Sequence, residues 1–421
     1  MSVRLRERLL QFRPWIRPGR GRGSRPRHAH RREPARLARA SGSRASGPRE
    51  VGLTPQASAT VSGSKLDALE GLRAGAALAV VAFHLAVLTD AFKAGWLGSA
   101  FLQLNVGVWI FFVLSGFLLY TPFARAHDAV GQVAIGTYVR RRFLRIYPAY
   151  WVVLIVVPWL LTPTWRFANW SSGVSTVLLV DSYIHPHTPT SPGLAQGWSL
   201  VVEVSFYAFL PVYAAVIGGA ARRFSLARVE WTGLAALVAI GVLATMWTAE
   251  GGPLWVRVLP QYFAPFAVGM AAAVARTQRR RWPLPGPWVA AGIVSWCSVV
   301  VVAVAWHQPD GFWWQVYVPI AFTVAAGGLV VPLIEPEARG RVASLARSRP
   351  MVALGRISYG IYLWHYGAIV WVTAHWFDPK GSFTFEKTAV VVVPFTLLVA
   401  WSSYRLVEMP AMALGRRRRP R

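Results

Sequence analysis

The stretch 69–85, LEGLRAGAALAVVAFHL, is apolar enough to sit in lipid, yet it holds Arg73 toward one end and His84 toward the other. An ionisable side chain is costly to bury inside a membrane span, and such residues mark functional paths by default. Their separation of eleven positions is roughly 16 Å of helix and about three turns, so both side chains point toward a similar face. Two more apolar stretches carry residues of the same kind: Glu203 in GWSLVVEVSFYAFLP and His365 in SYGIYLWHYG. A neutral imidazole takes up a proton near pH 7, and a carboxylate orients an imidazole and stabilises its charged form. Arginine suits phosphate through its forked donors, and Arg140, Arg141, Arg142 and Arg145 cluster in YVRRRFLR. The set fits proton transfer inside the membrane, next to a binding place for an anionic molecule.

Positioning these residues requires helices that cross a bilayer. Of the 421 residues, 54% are hydrophobic and only 15% charged, less charge than a soluble protein of this size carries. The 21 Trp fit a chain whose indole rings sit at membrane interfaces. Apolar segments of the roughly 20 residues needed to span fall near 70–88, 104–122, 146–163, 199–218, 230–248, 258–275, 287–306, 314–334, 356–376 and 388–408. The connecting loops alternate in charge: 138–145, 221–228, 276–281, 337–349 and the C-terminal RRRRPR are basic, and the loops between them hold few Lys or Arg. Because positive loops stay inside, the expected fold class is an all-α polytopic membrane protein of about ten transmembrane helices, with both termini cytoplasmic. The first span then runs from inside to outside. It places Arg73 near the cytoplasmic face and His84 about four residues from the outer end, level with Glu203 on the fourth span. His365 falls nearer the middle of the ninth. Aromatics in GVWIFFVLSGFLLY read as packing, and Ser115–Gly116 as a small pair that lets helices approach closely.

The formal net charge of +28 raises the question of nucleic acid. The charges lie in an N-terminal tail and in short clusters between apolar segments, a pattern of membrane topology, so no nucleic-acid partner is expected. Residues 1–64, rich in Arg, Gly, Pro and Ser, have too little apolar surface to fold. They are expected to be a disordered cytoplasmic tail that touches anionic membrane lipids. A membrane domain over 65–410 follows, then a basic cytoplasmic tail over 411–421. Cys297, the single cysteine, is expected to pack as a small core residue. The polar outer loop 164–198 contains His185 and His187, which lack further ligands at metal spacing, so no metal site is expected.

Taken in order, LEGLRAGAALAVVAFH, FFVLSGFLL, RRRFLRIYPAYW, GWSLVVEVSFYAFLP, LGRISYGIYLWH and YRLVEMP each resemble segments of the acyltransferase 3 family of integral membrane O-acyltransferases. The resemblance runs from about residue 66 to 410. Glu70 stands where that family often has Asp, and Trp109 where an Asp is common before the FFVLSGF run. The resemblance implies an O-acyltransferase of the cell membrane that moves an acyl group, usually acetyl, from cytoplasmic acyl-CoA to a hydroxyl. The implied acceptor is a glycan, a glycolipid or a glycosylated small molecule. It implies His84 and Glu203 in the reaction centre and Arg73, Arg140, Arg142 and Arg145 at the donor site. Ser115 and His365 complete the candidate substrate-binding set. Acyl-CoA is expected as a substrate, with no bound cofactor. The alternative class is a proton-coupled transporter or flippase, since buried His and Glu also fit a carrier. A carrier more often shows paired repeats with interrupted helices, and none is visible in this chain.

Overall fold

The computed structural model describes residues 63–416 apart from 94, 130, 162–169, 185–192, 254, 256, 279–284, 307–308, 336–337 and 376–384. The expected tail over 1–64 lies almost wholly outside the described residues, as do His185 and His187 and the last five residues of the C-terminal tail. Among the described residues the secondary structure is helical, with no strand.

The main helices are α1 (Gly63–Leu88), α2 (Gly95–Leu102), α3 (Val106–Asp128), α4 (Ile135–Leu161), α5 (Trp170–Val177), α6 (Gly197–Ala220), α7 (Leu226–Ala249) and α8 (Phe263–Thr277). They continue as α9 (Pro285–Ala305), α10 (Phe312–Ile334), α11 (Arg341–Ala346), α12 (Arg349–Arg356), α13 (Ser358–His375), α14 (Phe385–Ser403) and α15 (Met409–Arg416). Among the described residues, eight helical segments are long and apolar enough to cross a bilayer: 67–88, 95–128, 135–161, 197–220, 226–249, 286–305, 312–334 and 385–416.

Helices also occupy the sixth and ninth expected spans, but they differ in kind from the other eight. Helix α8 has 15 residues, about 22 Å of rise against a hydrocarbon core of about 30 Å. Helix α13 has 18, among them three tyrosines and two histidines. Both are wrapped by protein. Phe266, Ala267, Met270 and Ala273 of α8 are buried, as are Ile361, Leu363, His365 and Ile369 of α13. A helix enclosed by neighbours need not match the thickness or the polarity of lipid, which is why these two escape the criterion of length and hydropathy and why one of them carries a histidine. In contrast, α9 turns much of its surface outward, and Cys297 is exposed there rather than packed in the core.

Small residues bring the core helices together. A Cβ on Gly116 of α3 would stand 2.2 Å from the carbonyl oxygen of Phe266 on α8, and one on Gly269 of α8 would stand 2.0 Å from that of Val113. The two glycines therefore permit a backbone-to-backbone crossing that any larger residue would prevent. The start of α1 is held in the same way against α11 and α12, through Gly71 over the Ala346 carbonyl and Gly355 over that of Glu70. Arg73 thereby enters the bundle from a fixed end.

Candidate active site

Helices α1, α3, α4, α6 and α13 line a partly open cavity. Arg73 of α1 and Arg142 and Arg145 of α4 line it, with Ser115 of α3, Glu203 and Tyr207 of α6, and Tyr359 and Tyr362 of α13. Phe111, Phe112, Leu114, Leu118 and Leu119 of α3 supply its apolar wall. Its lining, mostly apolar with a few convergent polar groups, has the character of an organic-ligand site. Three guanidiniums, from α1 and α4, are groups suited to an anion.

Arg142 is held by aromatic faces. Its guanidinium lies 5.9 Å from the ring centroids of both Tyr138 and Tyr207, within cation–π range of each. Its Nε is buried without a hydrogen-bond partner among the described residues. Arg140 does not face the cavity. It is exposed, and its Nη2 donates to the carbonyl of Leu414 at 2.7 Å, fastening α4 to α15.

The Glu203 carboxylate accepts from Tyr207 Oη at 2.6 Å, one helical turn along α6, and from Ser115 Oγ at 3.1 Å. Both bonds fall on Oε1. The carboxylate is thus anchored by one oxygen, and the other is left for a ligand of the cavity.

The histidines form a separate pair. His365 Nε2 stands 3.0 Å from His84 Nδ1, and the two residues are 0% and 6% exposed. The surrounding acceptors fix the tautomers. His365 Nδ1 lies 2.7 Å from the carbonyl of Tyr362 and 3.2 Å from that of Ile361, so it carries the hydrogen. His365 Nε2 is then an acceptor. His84 Nδ1 faces that nitrogen and, at 3.0 Å, the Val80 carbonyl, so it also carries a hydrogen. With these tautomers the neutral His84 ring has its lone pair on Nε2. Tyr366 stands edge-on to the His84 ring, centroids 5.2 Å apart.

The structure therefore joins the expected residues in two groups. Arg73, Arg142, Arg145, Ser115 and Glu203 share the cavity, while His84 and His365 share a hydrogen bond. The expected carboxylate partner of His84 is replaced: the ring is oriented by His365 and the Val80 carbonyl, and the hydrogen bonds of Glu203 go to Ser115 and Tyr207. Tyr362 connects the groups. It lines the cavity, and its ring lies 5.7 Å from that of His365 and 5.8 Å from that of Phe111. Sequence reasoning missed Tyr207, Tyr359 and Tyr362. Tyr207 carried a signal, four residues beyond Glu203 and so on the same helix face. The tyrosines of α13 read as ordinary interface aromatics.

Away from this site, His127 Nδ1 lies 2.8 Å from Glu230 Oε1, and Tyr120 donates to Glu230 Oε2 at 2.6 Å. The Ala214 carbonyl faces the other His127 nitrogen at 3.0 Å. This buried cluster ties α3 to α6 and α7 and has no part in the cavity.

A membrane bundle that gathers three arginines and a carboxylate in one cavity, with a hydrogen-bonded histidine pair nearby, is a multi-pass membrane protein with groups able to bind and to move protons. Residues 66–405 match the description "Acyltransferase domain" of the acyltransferase 3 family, and the chain belongs to that family of O-acyltransferases. Among its relatives is acyltransferase MdmB of Streptomyces mycarofaciens, 30% identical over 400 residues that cover 85% of this chain and 94% of the relative. "Putative peptidoglycan O-acetyltransferase YrhL" of Bacillus subtilis is 26% identical over 371 residues, 82% of this chain and 55% of the relative. A Staphylococcus aureus (strain COL) protein named as an O-acetyltransferase is 22% identical over 376 residues, 81% and 56% of the two chains. The chain thus spans nearly the whole of the first relative and about half the length of the other two. No solved structure gives a significant match. Family membership decides for the enzyme over the transporter.

Proposed function

We propose that the protein transfers an acetyl or similar acyl group from acyl-CoA, taken from the cytoplasmic side of the plasma membrane, to a hydroxyl of a sugar-containing acceptor. The observation that carries this reading is the grouping of Arg73, Arg142 and Arg145 in one cavity. Coenzyme A bears several phosphate charges, and arginine forks are the protein groups best matched to them. The positive loops support a cytoplasmic mouth for that cavity and cytoplasmic ends for the chain. The acceptor class draws support from YrhL, whose name carries peptidoglycan.

In the reaction His84 Nε2 takes the proton from the acceptor hydroxyl as the oxygen attacks the thioester carbonyl. The C–S bond breaks, and the proton passes to the departing thiolate, so no net charge is produced. His365 holds His84 in the tautomer with that lone pair. Glu203, fixed through Oε1, accepts a hydrogen bond from the donor or the acceptor with Oε2. The test is to incubate purified protein with acetyl-labelled acetyl-CoA and an extract of host envelope, then to identify the labelled product. Label in an alkali-labile ester on a saccharide is the expected result. Label that stays on CoA across all envelope fractions would refute the donor or the acceptor class.

A further inference from the structure

Five hydroxyl side chains line the cavity: Ser115, Ser199, Tyr207, Tyr359 and Tyr362. Three of them are committed to one acceptor each. Ser115 and Tyr207 donate to Glu203 Oε1, and Tyr359 donates to the Ile146 carbonyl at 2.8 Å. Ser199 and Tyr362 differ. Their hydroxyls are in direct hydrogen-bond contact, and both reach the carbonyl of Gln196, Tyr362 Oη at 3.1 Å and Ser199 Oγ at 3.2 Å. Two hydroxyl oxygens in contact need a hydrogen between them, so one hydrogen of this dyad is internal and the other is given outward. The Gln196 carbonyl that takes it also accepts the backbone N–H of Ser199, at 3.3 Å. A ligand oxygen can therefore draw the outward hydrogen to itself without stranding a buried carbonyl.

The dyad is tied to the histidines through α13. The Tyr362 carbonyl accepts from His365 Nδ1 at 2.7 Å. Gln196 Nε2 donates to the Leu363 carbonyl at 2.9 Å and reaches that of Tyr362 at 3.4 Å, so Gln196 and Tyr362 clasp each other, side chain to backbone in both directions. All three of Gln196, Ser199 and Tyr362 are buried. The residue that brings a hydroxyl to the cavity thus also holds the hydrogen that sets the tautomer of His365. Acyl transfer gathers negative charge on the carbonyl oxygen, and fixed hydrogen-bond donors at that oxygen are usually the largest single contribution to such catalysis.

We propose that the hydroxyl dyad of Ser199 and Tyr362 is the oxyanion site of the transfer, a pair of catalytic residues that donate the outward hydrogen bond to the thioester carbonyl oxygen. This rests on the acyl-CoA reading above. As the acceptor oxygen bonds to the carbonyl carbon, the π electrons of the C=O bond move onto the carbonyl oxygen, where that hydrogen bond holds them. They return as the C–S bond breaks, and the thiolate leaves with the proton that His84 took from the acceptor. The dyad lends a hydrogen bond and transfers no proton. Its order runs either way, from Ser199 through Tyr362 to the ligand or from Tyr362 through Ser199, so each hydroxyl covers in part for loss of the other.

The test compares the wild type with Tyr362→Phe, Ser199→Ala and the double variant in detergent. Tyr362→Phe keeps the ring and the backbone carbonyl that faces His365. Isotope-edited infrared spectra of bound acetyl-CoA, with a heavy-carbon label at the thioester carbonyl, read the hydrogen bond directly and require no acceptor. The carbonyl stretch should lie at higher wavenumber in each single variant than in the wild type, and highest in the double variant. Transfer of label to the envelope extract should fall about tenfold in each single variant and about 10²–10³ in the double, the usual cost of losing an oxyanion donor. CoA has no acyl carbonyl and should bind every variant with wild-type affinity in calorimetry. Ser199→Ala carries the test through the same band should Tyr362→Phe not fold. A carbonyl band that stays in place in the folded variants overturns the inference and leaves the donor reading standing, as does a loss of rate matched by an equal loss of CoA affinity. A wild type that binds no acetyl-CoA overturns the donor reading and the inference with it.

Discussion

Replacing His365 isolates the part of the mechanism that depends on tautomer. The Nδ1 hydrogen of His84 has two acceptors, His365 Nε2 and the Val80 carbonyl, each at 3.0 Å. His365→Ala removes one and leaves the other. A neutral hydrogen bond contributes about 1 kcal/mol net, so the favoured tautomer should lose about fivefold in population. The emptied space beside a 0% exposed residue also lets the ring turn. The single-turnover rate of acyl transfer should therefore fall by roughly five- to fiftyfold, with donor affinity unchanged, because His365 lies outside the arginine wall. His365→Gln, whose amide oxygen can accept the same hydrogen, should recover part of the loss. His84→Ala and His84→Gln should both cost about 10²–10⁴, the usual contribution of a general base. The assay is single-turnover transfer of labelled acetyl groups by detergent-purified variants whose folding is verified by their donor affinity. A His365→Ala enzyme as impaired as His84→Ala would make His365 a reacting group and refute the assignment of tautomers. Near wild-type rates in His84→Gln would remove His84 from the mechanism.

Three further outcomes are expected. Arg142→Ala and Arg145→Ala should each weaken CoA binding by about tenfold or more in calorimetry; Arg140→Ala should leave it unchanged while loosening the end of α15, because Arg140 caps the Leu414 carbonyl and does not line the cavity. Glu230→Ala should lower thermal stability by about 3 kcal/mol, as expected when one partner of a buried pair is removed, with no change in donor affinity; a loss of CoA binding in the folded variant would contradict the separation of the two clusters. Reporter fusions at Gly131, Gly219, Arg279 and Arg347 should read as cytoplasmic and those at Gly95, Gly193, Gly252 and Asp310 as external, and two adjacent sites reading the wrong way would overturn the loop-charge assignment.

The helices themselves were legible because each apolar run had to be satisfied within the segment, and in lipid only a helix does so. What hydropathy could not show was that α8 and α13 are sheathed in protein. Length and apolarity report contact with lipid, and these helices have little of it. For the site, Arg73, Ser115 and Glu203 were readable as costly or small residues in apolar runs and Arg142 and Arg145 as a basic cluster beside one, and the structure brings them to one cavity. The partner of His84 was not readable. Placing His84 and Glu203 at one depth is a statement along the membrane normal, and hydrogen bonds also depend on rotation about each helix axis. On α6 that rotation aims Glu203 at Tyr207 and Ser115; on α13 it aims His365 at His84.

The central claim is that one cavity holds the phosphates of acyl-CoA while its acyl end reaches the histidine pair. A cryo-electron microscopy structure with a non-hydrolysable acetyl-CoA analogue tests it most directly. The expected map shows phosphate density within hydrogen-bonding distance of Arg73, Arg142 or Arg145, and the pantetheine arm running past Tyr362, so that the acetyl carbonyl lies beside His84 Nε2. An analogue seated outside this cavity, or one whose acetyl end points away from His84 with its phosphates among the arginines, would contradict the account.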